Sequence, residues 1–229
     1  MTRYSIIKLV LIVLIMTTTD ISAGGVFPYK VHRVNLNNGF KALLIPMPGS
    51  GLVSYYTVVR TGSRDEWEPG KSGFAHFFEH MMFRGTNKYP LYDSVTTTIG
   101  ADANAYTDDD LTVYHLNFAA EDLDKVMDLE SDRFRNLNYP KDQFMTESGA
   151  VYGEYRKSVT NPFSVLFEKF QDMAFDKHTY KHTTIGFEAD IKDMPNQYEY
   201  SLSFYNRYYR PENCVLVIAG DFDPEKVSK

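Results

Sequence analysis

Cysteine is almost absent from this chain of 229 residues: Cys214 stands alone, so no intrachain disulfide can form. It lies in the segment N-C-V-L-V-I-A-G, which reads as a buried strand where a lone thiol acts as a small apolar side chain. A basic excess is also lacking, since 24 Lys and Arg face 30 Asp and Glu for a formal charge of −6. No basic run offsets that balance, which argues against nucleic acid or an anionic membrane as the main partner and leaves peptides as the expected one. Long apolar runs are missing too: Leu9–Met16 falls well short of the ~20 residues needed to span a bilayer. With neither internal repeats nor a low-complexity linker, a hydrophobic fraction of 43% fits one sizeable globular domain.

The N-terminus carries Arg3 and Lys8, then the apolar run, then a polar stretch ending Ile21-Ser22-Ala23-Gly24. This order predicts a secretory signal peptide over residues 1–23, a mature domain over 24–229, and a periplasmic or secreted location. The competing reading is an uncleaved leader that anchors the chain to a membrane. A lipoprotein signal is excluded because no cysteine stands close behind the apolar run, where such a leader would be cut.

Two β-rich segments, 31–36 and 40–45, flank Asn37-Asn38-Gly39, a turn sequence that favours positive φ and predicts a hairpin. Further strands are expected over 52–60, 101–107, 111–118 and 214–219, and helices over 92–99, 121–137, 141–158, 162–175 and 197–208. On the 121–137 helix, Leu123, Val126, Met127, Phe134 and Leu137 form the apolar stripe. Strand pairs mixed with helices point to an α+β domain, an antiparallel or mixed sheet with helices packed on it. The acids Asp108, Asp109 and Asp110 read as a solvated turn, because consecutive side chains in a turn point in different directions.

Chemistry concentrates in Gly73–Thr86, G-F-A-H-F-F-E-H-M-M-F-R-G-T. Ser72 as N-cap and Gly85 as a stop would place His76, Glu79 and His80 on one short helix. At about 100° per residue these three span roughly a quarter of the circumference, while Phe77, Phe78, Met81 and Met82 supply an apolar side to bury. H-x-x-E-H is expected only about 0.01 times in a random chain of this composition. Two imidazoles four apart on one face can grip a metal ion, and the carboxylate beside them can take a proton from water, which is a hydrolase arrangement. Such a site needs a third ligand. Spacing alone leaves Glu121, Glu147, Glu154 and the Asp108–Asp110 turn open, although Glu147 and Glu154 share a helix face.

H-F-F-E-H and the residues around it resemble the inverted zinc motif of the pitrilysin-like zinc metallopeptidases, the inverzincins. Asn104-Ala105-Tyr106-Thr107, Tyr180–Gly186, Tyr208-Tyr209-Arg210-Pro211 and Ala219-Gly220-Asp221-Phe222 follow in the family's order. The resemblance implies a zinc endopeptidase with Zn2+ held by His76, His80 and Glu154, which stands 74 residues beyond His80. It further implies Glu79 as general base toward a metal-activated water, Glu147 as a second functional carboxylate supporting the site, and Asn104 and Ala105 as contacts to an extended peptide substrate. Family members generally pair two related domains that close on the substrate, so a second homologous domain or subunit is the implied partner. The alternative is a non-catalytic binding or assembly subunit, against which the intact His76-Glu79-His80 set argues. An unrelated hydrolase such as an S-ribosylhomocysteine lyase-like enzyme would need a cysteine ligand, and the strand setting of Cys214 counts against it. His32, His115, His178 and His182 match no ligand position and are expected to be structural.

Overall fold

The computed structural model describes residues 27–228, so the expected leader lies outside the described residues. All the strands and helices of the described residues lie in the unit that begins at Val31. The hairpin around Asn37–Gly39 is formed by β1 (His32–Asn35) and β2 (Lys41–Pro46), and β3 (Leu52–Val59) comes next. Helix α1 (Phe74–Met81) and helix α2 (Tyr92–Thr98) precede a second antiparallel pair, β4 (Asp102–Thr107) and β5 (Thr112–Ala119). Then come α3 (Leu123–Asn136), α4 (Lys141–Ser158), α5 (Pro162–Ala174), α6 (Glu188–Asp193), α7 (Tyr198–Tyr208), β6 (Cys214–Gly220) and α8 (Pro224–Val227). The short helices α6 and α8 have too few residues to show a period, and the sequence pattern does not predict them.

The six strands form one mixed sheet, β1-β2-β6-β3-β5-β4, parallel only between β2 and β6. Alternation along the strands turns Leu44, Val53, Tyr55, Leu116, Leu216 and Ile218 to one face, where they are buried. That face and the helices make the core, so the class is the expected α+β. Strand β4 is an edge, with one side of its backbone ladder free of other strands. No helix among the described residues is long and apolar enough to cross a membrane.

Helix α1 is held by its apolar face. Phe74, Phe77, Phe78 and Met81 are fully buried. Phe78 stacks on Phe204 of α7 at 5.5 Å, and Phe77 meets Phe144 of α4 edge-on at 5.0 Å. At roughly 1.5–3 kcal/mol per side chain, this burial determines which way the helix is rotated. Ser72 is not the N-cap. Its hydroxyl instead donates to Asp190 at 2.7 Å and accepts from the Phe187 amide at 2.8 Å, tying the helix start to α6. The cap position belongs to Gly73 at φ +92°, where a Cβ would lie 2.6 Å from the Ile185 carbonyl oxygen, so only glycine fits. Beyond Met81 a tighter turn carries the chain to Gly85, whose φ of +85° ends it as expected.

Helix α3 departs from its expected stripe. Besides Leu123 and Val126 it buries Glu130 and Arg133, each with a side chain 1% exposed. Arg133 donates to Glu130 at 2.7 and 3.0 Å, and Tyr92 donates to the other carboxylate oxygen at 2.9 Å. The guanidinium carbon lies 4.5 Å from the centre of the Tyr92 ring, 5.0 Å from that of Tyr114 and 5.3 Å from that of Phe83. Pairing and aromatic faces together replace the lost water, which a periodicity count cannot foresee. Helix α5 is also unusual, being amphipathic in the reverse sense. Phe163, Leu166, Phe167, Phe170 and Met173 are 56–82% exposed, whereas Gln171 is buried and Ser164 and Glu168 are less exposed than that apolar stripe.

Arg133→Met should destabilise the domain by about 3–5 kcal/mol, because Glu130 would remain buried without its cation. Urea unfolding measures this. The pair Glu130→Leu with Arg133→Met should recover most of the loss, and a double variant as unstable as the single one would rule out the uncompensated charge as the cause.

Candidate metal centre

Burying the apolar face of α1 turns His76, Glu79 and His80 toward α4 and β4. Glu154 of α4 comes to meet them: its Oε2 is 3.6 Å from His76 Nε2 and 3.4 Å from His80 Nε2. Ligand atoms of these three side chains all lie within 4.8 Å of one another, and no other group of three or more His, Cys, Asp or Glu converges in this way among the described residues. Glu121 and the Asp108–Asp110 turn are not in the group. Asp109 accepts from Ser63 Oγ at 3.0 Å, and Asp110 meets Arg64 at 2.8 Å, so the acids of that turn diverge as expected.

Earlier on the same helix, Glu147 is buried behind His80 rather than beside the convergent atoms. Its Oε1 lies 2.8 Å from His80 Nδ1, and its Oε2 accepts two N–H groups from Arg84. Burial raises the Glu147 carboxyl, but the hydrogen bonds from His80 and Arg84 outweigh it and hold the group below its ordinary range. An ionised carboxylate only accepts, so His80 must carry its proton on Nδ1 and, when neutral, offers a bare Nε2 toward Glu154. The same bond raises the His80 pKa. His76 goes the other way, lowered to about 4 by burial and then by its neighbour His80, so it is neutral and able to donate a lone pair at neutral pH.

Glu79 faces β4. Thr107 Oγ1 donates to its Oε2 at 2.6 Å, while partial burial raises its pKa above the ordinary carboxylate value. Asn104 is exposed on the same edge strand, and its Oδ1 accepts the Ala105 amide at 2.9 Å. Ala105 itself is buried in the core. Sequence reasoning misses Thr107, Arg84 and Glu66 as parts of this arrangement. Arg84 stands one helical turn after His80, a spacing that could have marked it; Thr107 and Glu66 carry no local signal.

Glu66 caps α1 from outside it. The Gly73 amide donates to Oε2 at 2.7 Å and the Ala75 amide to Oε1 at 2.6 Å, so a carboxylate from the preceding loop satisfies the helix start. His182, expected to be structural, is buried beside it, with Nε2 at 3.8 Å from Glu66 Oε2. Burial pushes the Glu66 carboxyl up to about 8, against the pull of the two amides.

Two imidazoles and a carboxylate are a donor set that zinc accepts, and a tetrahedron with bonds of ~2.1 Å has edges of roughly 3.4 Å, close to the observed separations. The residues therefore fit the metal that the motif implies.

The Insulinase (Peptidase family M16) model matches residues 47–187, a span that includes His76, Glu79, His80, Glu147 and Glu154. This chain belongs to that peptidase family. A second family model, described as Peptidase M16 inactive domain, matches residues 197–229, beyond the convergent side chains. Zinc protease PqqE of Helicobacter pylori is 32% identical over 202 residues, covering 86% of this chain and 45% of that protein. The crystal structure of a protease from Helicobacter pylori superposes with a TM-score of 0.82 at 31% identity, over 87% of this chain and 48% of that one. The periplasmic protease PqqL from Escherichia coli gives 0.75 at 26% identity, over 88% and 23%. The chain thus spans about half the length, or less, of these family members.

A group whose folded pKa lies above its unfolded value stabilises below the unfolded value and loses that contribution as pH rises through the folded one. For Glu66 the window runs from about 4.5 to about 8. Metal-free wild type should therefore lose stability relative to Glu66→Gln as pH rises from about 5 to about 8, measured by urea unfolding in chelator. A difference between the two that does not change with pH would show that Glu66 does not titrate in this window.

Proposed function

We propose that this chain is the metal-bearing half of a zinc endopeptidase, with His76, His80 and Glu154 as ligands. The observation that carries the reading is the convergence of those three side chains within 4.8 Å. Zinc, when bound, polarises a peptide carbonyl and acidifies water. Glu79 is the general base: it takes a proton on its carboxylate and returns it to the leaving amine. Thr107 orients that carboxylate through its hydrogen bond to Oε2, and burial raises the carboxyl toward the pH at which it exchanges a proton. Glu147 is a positioning residue, acting through His80 Nδ1 and itself held by Arg84. The β4 edge, with Asn104 and Ala105, receives the substrate as an extended strand, for which Asn104 Oδ1 must release the Ala105 amide. A second, homologous domain closes over the site, a reading supported by relatives about twice as long. Location in the periplasm or outside the cell belongs to the same proposal, supported by the leader-like N-terminus and the periplasmic relative.

Glu79→Gln should keep zinc, because the amide fills the same space, and should lower peptide cleavage by roughly 10²–10⁴-fold. Glu154→Gln should instead lose metal. Metal analysis beside cleavage of a mixed peptide library, with any second half supplied, separates the two; full activity in Glu79→Gln removes the general base, and full zinc in Glu154→Gln moves the third ligand elsewhere.

Glu147→Gln tests positioning. It should weaken zinc binding by about 10–100-fold in chelator competition without removing a ligand. Unchanged affinity would leave Glu147 with a purely structural role.

A further inference from the structure

Behind the start of α1 two buried groups have a proton to place. His182 is 3% exposed, and its Nδ1 lies 2.9 Å from the Thr183 carbonyl oxygen. A carbonyl only accepts, so Nδ1 carries the hydrogen and Nε2 of the neutral ring is a bare acceptor. That Nε2 meets no hydrogen-bond partner among the described residues, and Glu66 Oε2 stands 3.8 Å from it on a side chain that is fully enclosed. An ionised Glu66 would therefore set two buried acceptors against each other, whereas one proton on either atom turns the opposition into an attraction. The walls are close. A Cβ on Gly186 would come within 2.8 Å of the Gly73 nitrogen, and the Phe187 ring meets His182 edge-on at 5.2 Å. The titratable groups acting on the pair are Asp65 on the same loop, Asp190 on α6, Asp109 on the turn after β4 and the Tyr200 phenol of α7. Cations of the loop turn elsewhere: Arg64 pairs with Asp110 at 2.8 Å, and Lys71 donates to Gln197 at 2.9 Å. Burial raises Glu66 and lowers His182, and Asp65 and Asp190 add to the first effect, so the proton rests on the carboxyl.

The same carboxyl group reaches the helix that carries the histidines. Its oxygens accept the Gly73 and Ala75 amides, and Ala75 directly precedes His76. We propose that Glu66 and His182 hold one proton between them and that metal binding at His76, His80 and Glu154 expels it, which makes the pair a proton-linked control of metal affinity. The proton leaves Glu66 Oε2 for the buffer. The carboxylate so formed attracts the doubly charged ion through a poorly screening interior and accepts the two amides more strongly. Such linkage is reciprocal, so removing the proton tightens the metal by the same factor. Metal lowers the pH at which Glu66 gives up its proton, so the extra release occurs below the metal-free value and is absent well above it. The inference rests on the metal reading for the ion and needs no catalysis.

Calorimetry of zinc binding to the chelator-treated chain, repeated at each pH in Pipes, Hepes and Tris, reads the protons released from how the heat depends on the buffer's ionisation enthalpy. Protons lost by the ligands are common to wild type and variants, so a difference isolates the pair. At about pH 7 wild type should release up to about one proton more than Glu66→Gln, and the excess should vanish by about pH 9. The Gln side chain fills the same space and donates to His182 Nε2 without titrating. His182→Gln should lose the excess as well, because its amide supplies the missing hydrogen and leaves Glu66 ionised. Between those pH values the wild-type affinity should gain about fivefold or more on Glu66→Gln. Should one variant fail to fold, the other decides. Equal proton release in wild type and the folded variants overturns the linkage and keeps the metal reading, whereas no zinc binding by wild type overturns both. An excess lost in Glu66→Gln but kept in His182→Gln puts the proton on Glu66 alone and overturns the pair.

Discussion

Everything in this domain depends on the burial of one face of an eight-residue helix. Phe74, Phe77, Phe78 and Met81 are withdrawn from water by α4 and α7, and the alternative rotation would expose all four while burying two histidines and a glutamate. That difference amounts to several kcal/mol on transfer energies alone. The rotation of α1 is thus determined by its non-functional side. The functional side inherits its direction.

Precision comes from polar contacts that reach the helix from elsewhere in the chain. Glu66 satisfies the first amides, Glu147 fixes the proton on His80, and Thr107 holds Glu79. Each is a carboxylate or hydroxyl from outside the helix, and each meets a group that would otherwise be buried unpaired or free to rotate. The same pattern appears in the Glu130–Arg133 pair, which lies among aromatic rings. Charges enter this core only in company.

The charge pattern around the centre is uneven. Histidine and arginine gather on the Glu147 side, where they hold that carboxylate ionised, whereas a cleft on the far side of Glu154 is lined by acids and unpaired acceptors. Reversing the amphipathic sense of α5 is what builds this wall, and its exposed apolar stripe is the structural consequence.

What the sequence determined by itself was the local order. Alternation and turn residues placed the strands, the 3.6-residue period placed the long helices within a residue or two, and H-F-F-E-H put His76, Glu79 and His80 on one helix beside an apolar face. These follow from interactions between near neighbours, which a linear reading contains. Tertiary structure alone decided which distant groups meet. Spacing left several acids open as the third partner of the histidines, and only the packing of α4 against α1 brings Glu154 within 3.6 Å while turning Glu147 to His80 Nδ1. Likewise Ser72 is a sound cap by sequence, yet Asp190 and Phe187 claim its hydroxyl and Glu66 takes the helix start. Buried charge on α3 and the inverted α5 broke the periodic rule for one reason: their surroundings are made by other elements, and what a side chain meets across the fold outweighs the preference of any single stretch for oil or water.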